Sequence, residues 1–322
     1  MNYVKKYKYA FLINPSAGSG YVKEILTQLP TCLSQIHLFQ DHYHLEQTRI
    51  DQVQKQAQDL SRLATTIIVI GGDGTVSDAI AGIFYGDPAT TLGIVPLGTA
   101  NDLARTLNIY QLFNSKPFNT ALEQLLGAPS IPLDVWQING HRIMSNYLSL
   151  GFDAAVATHF GRKRRANDTH RMSLRRSKVE FFIHGLRQLS HRICSESYLC
   201  FWHKGRKQKI PLDSMCSVIF SNIKHYASGI GPVPLADCND GLLDITLFPT
   251  LPHLLGLFIT QYFKPIHRFY SRNLINYCSN HIEIYSPPGN YLQIDGEDRT
   301  ELLLQGKLTI ENIGQIKVLA YA

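Results

Sequence analysis

An N-terminal parallel α/β domain followed by an antiparallel β-sandwich is the fold this sequence predicts, on three observations. Three strand–loop–helix units follow one another before residue 134, the pattern of a helix-covered parallel sheet. From Asp134 onward short alternating strands take over, separated by turn residues such as Asn139-Gly140, Pro287-Pro288-Gly289 and Asp295-Gly296. The length of 322 residues, 44% hydrophobic and 17% charged, gives room for roughly two cored domains and excludes collagen, coiled coil and wholesale disorder.

The elements follow in order. Residues 9–13 form an apolar strand that ends at the small-residue turn Asn14-Pro15-Ser16-Ala17-Gly18-Ser19-Gly20, and a helix over 21–29 follows. A weak strand at 36–40 precedes a polar helical stretch over 45–63, with Val53, Ala57, Leu60 and Ala64 at helical spacing. The β-branched run 65–70 reads as a strand covered on both faces. Gly71-Gly72-Asp73-Gly74-Thr75 comes next, then a helix through Ile83, a buried strand over 91–95, the loop Pro96-Leu97-Gly98-Thr99-Ala100-Asn101-Asp102 and a helix from Leu103. In the second half, strands are expected at 134–138, 145–150, 198–203, 217–221, 243–248, 280–285 and 302–310, interrupted by a basic helical insert, 161–192. The domains are expected at 1–133 and 134–310, with about 311–322 returning to the first.

Composition narrows the classes. Spanning a bilayer takes about 20 consecutive apolar residues, and the best stretch, 251–263, is broken by His253 and Gln261. Lys5, Lys6 and Lys8 precede only the short apolar run 10–13, so no secretory leader is expected. Six cysteines without a CxxC pair read as reduced thiols of a cytoplasmic protein. The thirteen histidines include no HExxH and no ligand spacing with cysteine, and they read as surface or core residues.

Chemistry concentrates in the loops. Glycines at 71, 72 and 74 let backbone N–H groups approach a polyphosphate, and the following helix adds positive charge at its N-terminus. Thr75 offers a hydroxyl, and Asp73 a carboxylate to orient a metal or the phosphates. No Gly-Lys-Ser/Thr follows, so this is not a P-loop, nor is it the dinucleotide GxGxxG. Alone it reads equally as a ligand-free tight turn. Together with the loops 14–18 and 96–102, at the same edge of a parallel sheet, it reads as a nucleotide site.

Asn14-Pro15-x-x-Gly18, Gly71-Gly72-Asp73-Gly74-Thr75 and Pro96-x-Gly98-Thr99-x-Asn101-Asp102-x-x-Arg105 resemble the catalytic domain of the diacylglycerol kinase and sphingosine kinase superfamily. Asp240-Gly241-x-x-Asp244 and Asp295-Gly296-Glu297 extend the resemblance in the same order, and the soluble bacterial lipid kinases are the nearest sub-pattern. The resemblance implies ATP contacts at Asn14, Pro15, Ser16, Ala17 and Gly18, at Gly71, Gly72, Asp73, Gly74, Thr75, Val76, Ser77 and Asp78, and at Thr99 and Asn101. It implies a charged network of Asp73, Asp102 and Arg105 beside the phosphates. It implies Mg²⁺ held by the Asp240 side chain with main-chain oxygens near Asp237 and Leu242, oxygen ligands that suit a hard cation. It points to Glu297 as proton acceptor with Asp295 beside it; alternation along an extended segment is expected to put both on one face. The bland readings are an acidic turn before a strand at 240 and a solvated acidic β-turn at 295–297, where Asp298 blurs the assignment.

Some positions depart from the family. Ser77-Asp78 stand where Asn-Glu is common, and Ser19 where a basic residue often follows the first loop. A nucleotide-contacting threonine of some members has no clear counterpart, Thr48 being poorly spaced. The insert 161–192 sets ten cations against Asp168 and Glu180, with Val179, Phe182, Ile183, Leu186 and Leu189 on one helical stripe. It reads either as a peripheral contact with an anionic membrane or as a core-facing helix with a solvated basic face; nucleic acid is not expected. The predicted function is an ATP- and Mg²⁺-dependent lipid kinase, cytoplasmic and peripheral to the membrane's inner face. The alternatives are an NAD kinase, for which no Gly-Ser-Thr-Ala-Tyr segment is present, and a silent lipid or nucleotide sensor.

Overall fold

Strands β1 (Tyr7–Ile13) and β3 (Ala64–Gly71) are the most apolar segments of the first half, and both are sealed on two faces: Phe11, Leu12, Ile13 and Ile67, Ile68, Val69, Ile70 are fully buried. They lie side by side in a parallel sheet of order β2-β1-β3-β4, completed by β2 (Tyr43–Gln47) and β4 (Thr91–Pro96). Helices α1 (Tyr21–Gln35), α2 (Val53–Leu63) and α3 (Asp73–Gly86) connect the strands, and the short helices α4 (Asp102–Thr106), α5 (Ile109–Ser115) and α6 (Phe118–Leu126) follow β4. The computed structural model describes residues 4–166, 192–213, 215–227, 236–260, 266, 270 and 274–321. It divides into Met1–Val135 with Gly314–Ala322, and Trp136–Ile313; Lys317 and Val318 of the returning chain pair with Thr91 and Leu92.

The second unit begins inside β5 (Ser130–Ile138) and continues with β6 (Arg142–Met144), β7 (Tyr147–Gly151) and helix α7 (Phe152–Ala166). Then come β8 (Tyr198–His203), β9 (Arg206–Pro211), β10 (Ser217–Ser221), β11 (Leu243–Phe248), helix α8 (Leu251–Thr260), β12 (Ile275–Ser279), β13 (His281–Tyr285), β14 (Leu292–Ile294), β15 (Glu297–Asp298) and β16 (Lys307–Leu319). One sheet is antiparallel throughout, in the order β12-β11-β10-β7-β14-β15. Against it pack β8, β13 and the start of β16, also antiparallel. Leu148, Leu150, Val218, Phe220 and Ile245 from the first face meet Phe201, Ile282, Ile284, Leu308 and Ile310 from the second, giving the sandwich core. Helix α7 lies on the opposite face of the six-stranded sheet, against β7, β14 and β15.

Several elements differ from expectation. Residues 36–40 form no strand. Helix α1 runs on past Leu29 to bury Cys32 and Leu33, His37 turns back with φ 58°, and the edge strand forms at β2. The polar stretch 45–63 is therefore not one helix but the end of β2, a loop and α2. The last strand starts at Lys307, because 300–305 coil into a 3₁₀ turn closed by Gly306 at φ 73°. Strands β6, β9, β12, β14 and β15 are additional. Of the basic insert, residues 167–191 lie outside the described residues, while 161–166 complete α7. All six cysteines are free thiols, and among the described residues no helix is long and apolar enough to cross a membrane.

Candidate active site

In the first unit three loops leave the carboxyl ends of β1, β3 and β4 and touch one another. At the first, the Asn14 amide bonds the Thr75 hydroxyl at 2.9 Å, while its Oδ1 accepts the Ser16 N–H at 2.9 Å. Gly18 takes φ 64°, and a Cβ there would meet the Leu97 side chain at 3.5 Å. Pro15 and Ser16 are exposed between these anchors.

The second and third loops are pressed closer still. Leu97 N–H donates to the Gly71 carbonyl at 2.8 Å. A Cβ at Gly72 would lie 3.0 Å from the Gly98 Cα, and one at Gly98 only 2.7 Å from the Gly72 Cα, so both positions demand glycine by contact rather than by dihedral. Gly72 is extended and precedes α3, whose first N–H groups, at Asp73 and Gly74, have no earlier turn to bond. Gly74, Asp78 and Thr99 are exposed around this end, Ser77 is half-buried, and Thr75 and Val76 are buried beneath it. The arrangement is an anion cradle: glycine backbones and a helix N-terminus face one small area.

Asp73 holds this cradle together. Its Oδ2 accepts the Asn101 N–H at 2.6 Å and its Oδ1 the Asp102 N–H at 3.0 Å, capping α4. Asn101 stands at φ 53° with its amide bonded both ways to Gly98, at 2.8 and 2.7 Å. Asp102 is buried behind it. Arg105, the third member of the expected network, sits on α4. Arg105 Nε donates to the Ala100 carbonyl at 2.9 Å, and its guanidinium lies 3.6 Å from the Tyr110 ring centroid.

In the second unit the Asp295-Gly296-Glu297 motif is a hairpin turn, not an extended segment. Ile294 pairs with Glu297, and Asp295 (φ 50°) and Gly296 (φ 84°) form the two-residue loop, the conformation for which Asp-Gly is favoured. The two carboxylates therefore part company. Asp295 turns inward and accepts the N–H groups of Ser145 at 3.1 Å, Asn146 at 2.9 Å and Tyr147 at 3.1 Å. Glu297 points outward, half-exposed, with Arg299 bonded to it and Arg142 Nη2 at 4.0 Å. These two arginines carried no sequence signal; they become visible only when β6 lies near the β14–β15 hairpin.

The loop before β11 gathers acids. Asp240 Oδ1 accepts the Leu242 N–H at 2.9 Å, which closes the turn. Asp244, buried on β11, has its carboxyl pushed up to about 7, first by burial and then by the charges of Asp240 and Asp237. Directly opposite on β10 stands Ser221, whose buried hydroxyl has no partner among the described residues. An all-oxygen set under like-charge repulsion fits a hard dication. Among the described residues no three acid, His or Cys side chains close round one point, so a cation here would need main-chain oxygens and water, as Mg²⁺ readily takes. Asp244 belonged to the sequence motif but not to the expected ligand set.

Comparison with known proteins follows the same division. The family model for the diacylglycerol kinase catalytic domain matches residues 8–138, and that for the diacylglycerol kinase accessory domain residues 143–298. Diacylglycerol kinase 2 of Arabidopsis thaliana is 31% identical over 186 residues, 51% of this chain but 26% of its own length. The probable lipid kinase YegS of Escherichia coli is 27% identical over 237 residues, 72% of this chain and 71% of that one. A crystal structure of a diacylglycerol kinase from Bacillus anthracis superposes with a TM-score of 0.69 at 21% identity, covering 99% of this chain and 98% of the other. The chain thus spans about a quarter of the length of the plant and mammalian kinases it matches.

Proposed function

The chain belongs to the diacylglycerol kinase family, and from that premise we propose that it is an ATP- and Mg²⁺-dependent lipid kinase acting on a hydroxyl of diacylglycerol or a related lipid. The observation that carries this reading is the contact of the three loops at Gly18, Gly72 and Gly98, which brings their backbones together at one edge of the sheet. Asp73 acts as a positioning residue, because both of its oxygens hold the third loop. Thr99, Gly74 and Asp78, exposed around the cradle, are the side of it open to nucleotide.

Phosphoryl transfer forms a bond from the lipid oxygen to the γ-phosphorus and breaks the bond to the β,γ-bridging oxygen, with the hydroxyl proton leaving to a base. Glu297 takes that proton; Asp295, saturated by three backbone donors, sets the turn that presents it. Arg299 and Arg142 orient the Glu297 carboxylate. Mg²⁺ supplies charge neutralisation at the phosphate oxygens when bound. Asp240 and the main chain at 237 and 242 would hold it, with Asp244 behind.

The test is transfer of label from γ-labelled ATP to a total lipid extract, with the product identified and with NAD as a parallel acceptor. Labelled phosphatidic acid or a related lipid phosphate, lost on chelation of Mg²⁺, is expected; labelled NADP or no product would refute the reading. A silent sensor is the second reading, favoured by Ser19, Ser77 and Asp78. Nucleotide binding without transfer to any lipid distinguishes it. Protein in the cytoplasm working at the membrane's inner face follows from the same proposal, with the insert 161–192 as one basic contact.

A further inference from the structure

We propose that the β8–β9 hairpin is a bilayer-docking element, in which Trp202 and the cations Lys204, Arg206, Lys207 and Lys209 engage an anionic membrane surface. The hairpin turns through Lys204 and Gly205, at φ 48° and 73°, so its tip is tight and both strands stay in register. Leu199 and Phe201 face the sandwich core. Trp202 faces the other way, and its cross-strand partner is Lys207, with Cys200 opposite Lys209 beside them. Trp202 is 55% exposed, the only exposed residue of the two tryptophans, since Trp136 is fully buried.

The hairpin itself carries four cations and no acid. No ion pair with a carboxylate ties down Lys204, Arg206, Lys207 or Lys209 among the described residues; Lys209 instead lies 4.1 Å from the Tyr198 ring centroid. The acids on the neighbouring strands are engaged elsewhere, Glu283 with Lys307 at 2.5 Å and Glu311 with His281 at 3.0 Å. Glu196 and Asp213 flank the far end of the hairpin, beyond the Tyr198–Pro211 pair. Lysine and proline on an edge strand also ward off edge-to-edge pairing. That device does not account for an exposed tryptophan at the tip, which by itself would invite association.

Tryptophan beside lysine is the combination that settles at a headgroup interface, the ring at the acyl boundary and the cations on anionic lipid. A single-stranded nucleic acid would ask for several free aromatic faces. This hairpin has one, Tyr198 being stacked on Tyr285 at 4.5 Å. The choice of a bilayer over another polyanion rests on the lipid-kinase reading.

The two tryptophans make the test direct. Full-length protein is mixed with vesicles of phosphatidylglycerol and phosphatidylcholine, or of phosphatidylcholine alone, and emission and co-sedimentation are recorded. With anionic vesicles a blue shift, quenching by brominated acyl chains and a salt-sensitive pellet are expected, and Trp202→Phe loses the shift and the quenching while Trp136 emission stays constant. The double variant Lys207→Glu/Lys209→Glu is expected to sediment at least about tenfold less. Unchanged wild-type emission, sedimentation without lipid quenching of Trp202, or a larger shift with oligonucleotide than with vesicles each overturns the proposal. Turnover of diacylglycerol in detergent micelles is measured alongside. Its absence while vesicles still quench Trp202 sinks only the kinase reading, whereas turnover without vesicle binding sinks only the hairpin.

Discussion

Glu297 and Asp295 stand two residues apart and are held differently, Asp295 by three backbone N–H groups and Glu297 beside two arginines. Glu297→Gln keeps size and exposure but removes the proposed proton acceptor, so turnover should fall about 10²- to 10⁴-fold while the thermal midpoint stays within a degree or two. Asp295→Ala removes the acceptor of three backbone N–H groups and should lower stability by about 1–3 kcal/mol, visible as an earlier melt. Equal melting of both variants, or full turnover in Glu297→Gln, would contradict the division of roles. Another residue pair predicts a pH dependence. Lys5 Nζ bonds Asp87 at 2.6 Å and Thr90 at 2.9 Å. Burial alone would raise the Asp87 carboxyl, but the Lys5 bond and charge, with the Ala89 N–H, outweigh it and hold it below the ordinary carboxylate value. A lowered acid adds stability above its unfolded pKa and loses it as pH falls through the folded value. Lys5→Met should therefore cost about 1–3 kcal/mol at pH 7, with the gap to wild type closing below about pH 4; a constant gap would refute the pairing. The sequence could name Glu297 and Asp295 but not their division, because the donors to Asp295 lie near residue 146, brought close only by the fold.

Loops behave as elements here, since their glycines fix distances between strands. Gly72→Ala would place a methyl 3.0 Å from the Gly98 Cα. The expected result is at least tenfold weaker nucleotide binding with a small loss of stability, measured by titration calorimetry and melting; unimpaired binding would mean the cradle does not hold the phosphates. Gly82 makes a structural contrast, because a Cβ there would strike Ala57 at 2.7 Å and Gln58 at 2.8 Å. Gly82→Ala should cost about 1–3 kcal/mol by prising α3 from α2, and leave the cradle's chemistry alone. Parallel strands and their loops were legible because a doubly buried strand must be continuously apolar, as 67–70 is. The strand at 43–47 was not: Tyr43, His44, Leu45, Glu46 and Gln47 form a half-exposed edge with little apolar signal, while Ile36 and Leu38 misled by belonging to the close of α1.

At the scale of the whole molecule, each unit has its own core and its own part of the proposed chemistry: nucleotide loops in the first, acid loop, proton acceptor and basic hairpin in the second. Local glycine and acid motifs reveal such a division in sequence, because loops at strand ends carry function while strands carry burial. Arg142, Arg299 and Ser221 stayed hidden for the complementary reason that single polar residues gain meaning only from cross-strand neighbours. Hydrogen exchange of the full-length protein with and without a non-hydrolysable ATP analogue and Mg²⁺ tests the central claim most directly. The account predicts simultaneous protection of peptides covering 14–20, 71–78 and 97–105. Protection of only one of these, or of none while analogue binds elsewhere, would contradict it.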